Sequence, residues 1–433
     1  MNTSTIRVTR PETSVRLRLN DSAPGSEIPF ASLASSVPGL EHGHRFKLHP
    51  LLFHHFLQTM YLGKADYSKT YTVYYGREII ESQSRPGQFT LDYAVPPEDP
   101  VEFARNLAAT QPENYPKLHP RTRYYTRDEI ADVHKSWAAN DLPIVLLMHG
   151  LGGGSHEVVV RSVVSRLHGV ANVAVLNCRG CSRSKITTPT MFSALHTDDL
   201  AETVDMLHKL FPSKQIHLVG QSFGGLLIYN YLAQQGDRSV VTSAFTIGSS
   251  WNLIKDEDVL KGNLFGEYVY GPFIKQILAR IYKSNAQGLI ENPKFDLDEF
   301  NQLCKTCKHV SEIDDRFTAP ITGFPSASTY YMAGSPILRI FKIRTPVVML
   351  NDLSDPFISQ SYPYAEVKRH PYLYMATSDK GSHLAYVDPS GDMWYSKVVR
   401  DYIASWKDVS TQRPLDDGFH VEQTDFTDVI KLY

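Results

Sequence analysis

Cysteine is scarce in this chain, with four residues among 433. That is too few for a disulfide framework at this length, so a reduced, intracellular protein is expected. The four fall as Cys178-x-x-Cys181 and Cys304-x-x-Cys307, on paper a zinc ligand set. The first pair sits in a polar loop after an apolar run and the second lies far along the chain. Two ordinary pairs are expected. Net charge is equally scarce: 44 Lys and Arg stand against 46 Asp and Glu, a formal charge of −2. No basic stripe argues for nucleic acid. Long apolar runs are missing as well. None approaches the roughly 18–20 residues of a membrane span, and residues 1–30 lack a secretory apolar segment. Arg7, Arg10, Arg16 and Arg18 among Ser and Thr hint at a transit peptide, but Pro11 and Glu12 interrupt any helix there. A solvated tail is expected.

What is present is a core. Hydrophobic residues make up 42% of the chain, which excludes global disorder. Apolar, β-branched runs bounded by turn residues predict buried strands at 144–148, 173–176, 216–219, 244–247, 347–350 and 372–375. Helix-patterned stretches at 158–167, 200–210 and 223–234 alternate with the early ones. In the second of these, Leu200, Val204, Leu207 and Leu210 share a face, and Asp198, Asp199 and Glu202 crowd the positive N-terminal end. Such alternation predicts an α/β fold, a mostly parallel sheet covered by helices on both faces.

The rhythm breaks between 251 and 344, which is helix-like with Pro and Gly interruptions. An insertion at that place reads as a helical cap over the carboxyl ends of the strands. Within it Phe273, Ile274, Ile277, Leu278 and Ile281 form an apolar face against Lys275, Gln276, Arg280 and Lys283. That face either packs on the core or forms a lid or interfacial surface. The core is expected over 46–250 and 345–405, between a loosely ordered tail at 1–45 and a C-terminal tail at 406–433. A helix at 51–61, a strand at 88–95 and a surface excursion at 96–122 complete the expectations.

Chemistry enters at Gly220-Gln221-Ser222-Phe223-Gly224-Gly225, which follows a strand-like run and opens an apolar helix. In that context Gly-x-Ser-x-Gly describes a sharp, strained turn with the Ser222 hydroxyl exposed above the sheet. A serine hydroxyl needs a base, and the base an orienting acid, both expected on loops after later strands. His383, in Gly381-Ser382-His383, stands at the base position. Asp355, ahead of Pro356-Phe357-Ile358, is the acid; Asp352 is its rival, and whichever is not used is expected to be a solvated turn residue. An oxyanion hole needs two backbone N–H groups. Phe223 supplies one, and Leu151, in His149-Gly150-Leu151-Gly152-Gly153-Gly154, the other. That glycine loop lacks the spacing of a dinucleotide or Walker phosphate site. No complete metal set appears and no cofactor is implied. His54-His55, His42 and His44 read as isolated residues.

Finer strings make the chain resemble a known family. They are Gly150-Leu-Gly-Gly-Gly-Ser-His-Glu157, Asn177-Cys-Arg-Gly-Cys181, Lys185-Ile-Thr-Thr188, Gly323-Phe-Pro-Ser-Ala327 leading to Tyr330-Tyr331, and Gly381-Ser-His-Leu-Ala-Tyr386. Leu57-Gln58-Thr59 and Tyr74-Tyr75-Gly76-Arg77-Glu78 add support. Together they resemble the fungal medium-chain fatty acid ethyl ester synthase/esterases and their monoacylglycerol-lipase relatives, within the α/β hydrolases, over roughly residues 45–405. Gln221 and Gly225 depart from the family pattern beside the nucleophile. The resemblance implies acyl transfer from medium-chain acyl-CoA to ethanol, hydrolysis of the same esters, and lipase or thioesterase activity in some members. It implies the triad roles for Ser222, Asp355 and His383. It also implies a cytoplasmic protein with peripheral contact to lipid surfaces, on lipid droplets or the mitochondrial outer membrane. The alternative of another class is a hydrolase fold that binds without catalysing.

Overall fold

A computed structural model of the chain describes residues 2–20, 26–411 and 419. Its strands, in chain order, are β1 Thr3–Thr9, β2 Arg16–Arg18, β3 Glu27–Pro29, β4 Arg45–Lys47, β5 Tyr74–Glu81, β6 Gln88–Val95, β7 Thr122–Tyr124, β8 Ile144–Met148, β9 Asn172–Asn177, β10 Ile216–Gln221, β11 Ser243–Ile247, β12 Val347–Asp352 and β13 Leu373–Ser378. All but β2 and β3, which pair with each other, form one 11-stranded sheet of order β4-β1-β13-β12-β11-β10-β8-β9-β6-β5-β7. From β13 to β9 neighbours are parallel; beyond them the pairings β13–β1, β1–β4, β9–β6 and β6–β5 are antiparallel, and β7 pairs parallel with β5. The expected α/β-hydrolase architecture is thus present.

The parallel strands are apolar over most of their length because each is buried on both sides. In β8, Ile144, Leu146 and Met148 join one apolar cluster, and Val145 and Leu147 the other. Val347 and Met349 of β12 likewise oppose Val348 and Leu350. The helices Asp198–Leu210 and Phe223–Gln235 cover the first side, and Val158–Leu167 and Trp394–Ser405 the second.

The N-terminal region differs from expectation. The described part of residues 1–45 is not a loose tail: β1 pairs antiparallel with β13 in the register Ile6↔Ser378 to Thr9↔Met375. Ile6, Phe30, Leu33 and Leu40 are buried, and next to them Phe46 stacks on Trp394 with ring centroids 3.8 Å apart. The Ser/Pro-rich composition hid this because β1 lies near the sheet's margin, where polar and β-branched residues serve a strand as well as apolar ones. The helix expected at 51–61 forms at His55–Lys64. Of the C-terminal tail expected over 406–433, positions 412–418 and 420–433 lie outside the described residues, while Trp406 and Val409 are buried.

Between β11 and β12 the chain forms short helices from Leu253–Lys261 to Pro336–Lys342. They carry an aromatic core of their own, in which Phe300 lies 4.7 Å from Tyr282 and 5.1 Å from Phe317 between ring centroids. Among the described residues no helix is long and apolar enough to cross a membrane.

Candidate active site

The turn between β10 and the helix Phe223–Gln235 sets the site. Ser222 has φ 53° and ψ −118°, a conformation disfavoured for any residue with a Cβ, and its N–H donates to the Ile247 carbonyl at 2.8 Å. The chain passes so closely here that a Cβ at Gly220 would lie 2.6 Å from Gly225 Cα, and one at Gly224 2.2 Å from the Met148 carbonyl oxygen. Only glycine fits at both positions. The side chain of Gln221 points away from the serine, donating to the Val159 carbonyl at 2.8 Å.

The loops after β12 and β13 converge on Ser222. His383 Nε2 lies 3.0 Å from Ser222 Oγ, and His383 Nδ1 lies 2.7 Å from Asp355 Oδ2. The Asp355 side chain is 1% exposed and that of His383 16%, so their hydrogen bond is shielded while the imidazole still reaches the surface of the site. Asp355 Oδ1 accepts the Phe357 N–H at 2.9 Å, which fixes the carboxylate plane. With its Nδ1–H donated to Asp355, the imidazole leaves Nε2 free to accept the serine proton.

Asp352 is elsewhere. It does not reach His383, nor is it the solvated turn residue expected of the unused carboxylate. It is buried at the end of β12, accepts hydrogen bonds from the turns on either side, and is pushed up to about 7, chiefly by burial. The composition Asn-Asp-Leu-Ser-Asp reads as a surface turn; burial beneath β13 reverses that.

The glycine loop after β8 lies against the serine, for a Cβ at Gly150 would be 3.5 Å from Ser222 Cβ. Among the described residues the N–H groups of Leu151 and Phe223 have no hydrogen-bond acceptor. The loop is pinned from below by His149, whose role the sequence did not signal. Burial lowers this imidazole to about 4, keeping it neutral. Its Nδ1 donates to the Gly150 carbonyl at 2.7 Å, and its Nε2 accepts the Cys178 N–H at 3.1 Å.

Above the loop sits the cap helix Gly271–Ser284. A Cβ at Gly152 would lie 2.7 Å from Ile277 and 2.9 Å from Ile281, so the apolar face seen in sequence rests directly on the glycine loop. Phe357 bridges cap and base: its ring centroid is 5.0 Å from His383, 5.2 Å from Tyr270 and 5.8 Å from Phe273. Tyr270 Oη lies 3.1 Å from His55 Nδ1, so His55, which read as isolated, borders the site. Cys178, Cys181 and Cys307 are buried, and the Cys178 thiol is held well above its ordinary range by burial. Among the described residues no three His, Cys, Asp or Glu side chains are grouped to hold a metal.

The α/β hydrolase fold family model matches residues 143–289. Medium-chain fatty acid ethyl ester synthase/esterase 2 of Saccharomyces cerevisiae is 34% identical over 426 residues, covering 92% of this chain and 93% of that protein. The chain belongs to this family of α/β hydrolases. Monoacylglycerol lipase of the same yeast is 29% identical over 387 residues, covering 88% of this chain and 85% of that lipase. Phospholipase ABHD3 of Mus musculus is 27% identical over 270 residues, covering 61% and 64%. A member of this family is a hydrolytic enzyme of the esterase and lipase kind, and the site described above is the place on the fold where ester chemistry is to be sought.

Proposed function

We propose that this enzyme transfers a medium-chain acyl group through Ser222, from acyl-CoA or an acyl ester to ethanol or water. Ser222 Oγ attacks the carbonyl carbon while His383 Nε2 takes its proton; the Leu151 and Phe223 N–H groups receive the oxyanion. Asp355 stabilises the imidazolium. The tetrahedral adduct collapses to an acyl-serine, and His383 returns the proton to the departing thiol or alcohol. An incoming alcohol or water then gives its proton to His383 as it attacks, releasing ester or acid and restoring the serine. The observation that carries this reading is the unbroken hydrogen-bonded line from Asp355 through His383 to Ser222. The yeast synthase/esterase relative supports medium-chain acyl and ethanol as substrates. The lipase relative supports monoacylglycerol as a second acyl donor.

The cap shapes the acyl site in this proposal, because Ile277 and Ile281 stand over the glycine loop. The test is product analysis with octanoyl-CoA, with and without ethanol, beside monoacylglycerol. Ethyl octanoate formed only with ethanol is the expected result; release of free acid alone under both conditions would leave an esterase and remove the synthase. A fluorophosphonate probe should label the wild type and not Ser222→Ala, and a labelled Ser222→Ala variant would remove the acyl-serine. Exchanging the cap for that of a relative should move the preferred chain length; an unmoved preference would discard the cap's part.

A further inference from the structure

Asp352 ends β12, three residues before Asp355, and among the described residues makes no hydrogen bond to Ser222 or His383. Its Oδ1 accepts the Ser354 N–H at 2.9 Å and the Ser382 N–H at 3.1 Å. The hydroxyls of Ser354 and Ser378 also donate to the carboxylate. Ser354 lies in the turn that leads to Asp355, Ser382 immediately precedes His383, and Ser378 ends β13. One buried side chain therefore joins the two loops that project the acid and the base.

The base's loop needs such a tie. Ser382, Leu384 and Tyr386 have φ of 59°, 59° and 45°, a left-handed backbone on both sides of His383 that residues with a Cβ adopt only under constraint. From the opposite side the Ser382 hydroxyl lies 2.8 Å from Thr59 Oγ1 and donates to the His55 carbonyl at 3.1 Å. Among the described residues no Lys or Arg pairs with Asp352. A carboxyl group buried without a cation is a costly choice, and four converging donors are a reason to keep an acceptor there.

We infer that Asp352 is a positioning residue for the base: by accepting the Ser382 N–H it holds the left-handed turn that aims His383 at Ser222, and by accepting from Ser354 it fixes that turn relative to Asp355. This rests on the reading of Ser222 as the nucleophile and adds to it the group that keeps acid and base in register.

The test is steady-state ester hydrolysis and the rate of fluorophosphonate labelling in the full-length enzyme. Asp352→Ala is expected to lower kcat by about 30- to 100-fold, with KM within about twofold, because small misplacements of a reacting group cost rate rather than binding. Labelling should slow by the same factor. Asp352→Asn keeps an oxygen towards the two N–H groups and should recover to about three- to tenfold below the wild type. Should Asp352→Ala fail to fold, Asp352→Asn decides: a loss of about three- to tenfold in kcat at unchanged KM, with faster hydrogen exchange at the Ser382 amide, is the expected result. Wild-type kcat in either variant, equal loss in both, or a loss carried by KM overturns the inference. A wild type that the probe does not label at Ser222 overturns instead the reading beneath it, and is seen before any variant is compared.

Discussion

Ser222 holds a backbone conformation that its neighbours impose. Glycine at 220 and 224 lets strand and helix meet over the serine, and the strain presents its hydroxyl to His383. Asp355 stands at one remove from it, nearly sealed, with its two oxygens bound to His383 and the Phe357 N–H; in the proposed mechanism it sets the tautomer of the base. Asp355→Asn should therefore leave fold and KM near the wild type and lower kcat by about 10³–10⁴, since an amide can present its N–H to the ring and stabilise the wrong tautomer. Esterase kinetics beside a thermal melt check this; a loss under tenfold would return the role of acid to another group. The meeting of Ser222 and His383 was legible from their places after strands, because a strand-to-helix glycine turn has few other uses. The choice between Asp352 and Asp355 rested on local spacing, and the burial of Asp352 was invisible because the groups over it come from β13 and the loop beyond.

Among the elements, the cap is tied to the core by polar groups as well as by apolar ones. The helix Leu253–Lys261, capped by Asn252 on the Lys255 N–H, places Asp256 in the interior, where it accepts the Ser359 N–H at 2.8 Å. Burial pushes this carboxyl up to about 7. Its protonated form is thus favoured in the fold, while the unfolded chain ionises near the ordinary value for Asp. Below that ordinary value both states hold the proton and there is no effect. As pH rises from about 4 to 7 the unfolded state gives up its proton first, and stability falls by an amount on the order of 4 kcal/mol. Asp256→Asn should match the wild type at pH 4 and exceed it at pH 8, measured by urea denaturation. An equal midpoint difference at both pH values would show that the carboxyl ionises in the fold as it does in the unfolded chain. The cap's helical content was legible from its pattern, but its attachment was not, since Ser359 lies about a hundred residues downstream.

For the whole molecule, the N-terminal strand decides more than its composition suggests. β1 covers the flank of β13 and brings Ser4 and Thr5 to Asp379, just ahead of the turn that carries His383; the Ser4 hydroxyl and the Thr5 N–H donate to it at 2.9 and 2.8 Å. Ile6→Asp would place an unpaired carboxylate in a fully buried position. The variant should lose about 3 kcal/mol or more of stability, read as a lowered melting temperature and urea midpoint. A loose tail would tolerate it without change.

The amino-acid sequence alone determined the parallel centre of the sheet and the turn at Ser222. Strands buried on both faces must be largely apolar, and a backbone crossing at van der Waals distance must be glycine; both demands are local and leave a local mark. Only the tertiary structure decided which carboxylate meets His383, that His149 and Asp352 brace the loops beside the serine, and that Thr3–Thr9 and Arg45–Lys47 complete the sheet. In each of these the partner is distant along the chain, and a polar side chain takes its meaning from what is folded against it.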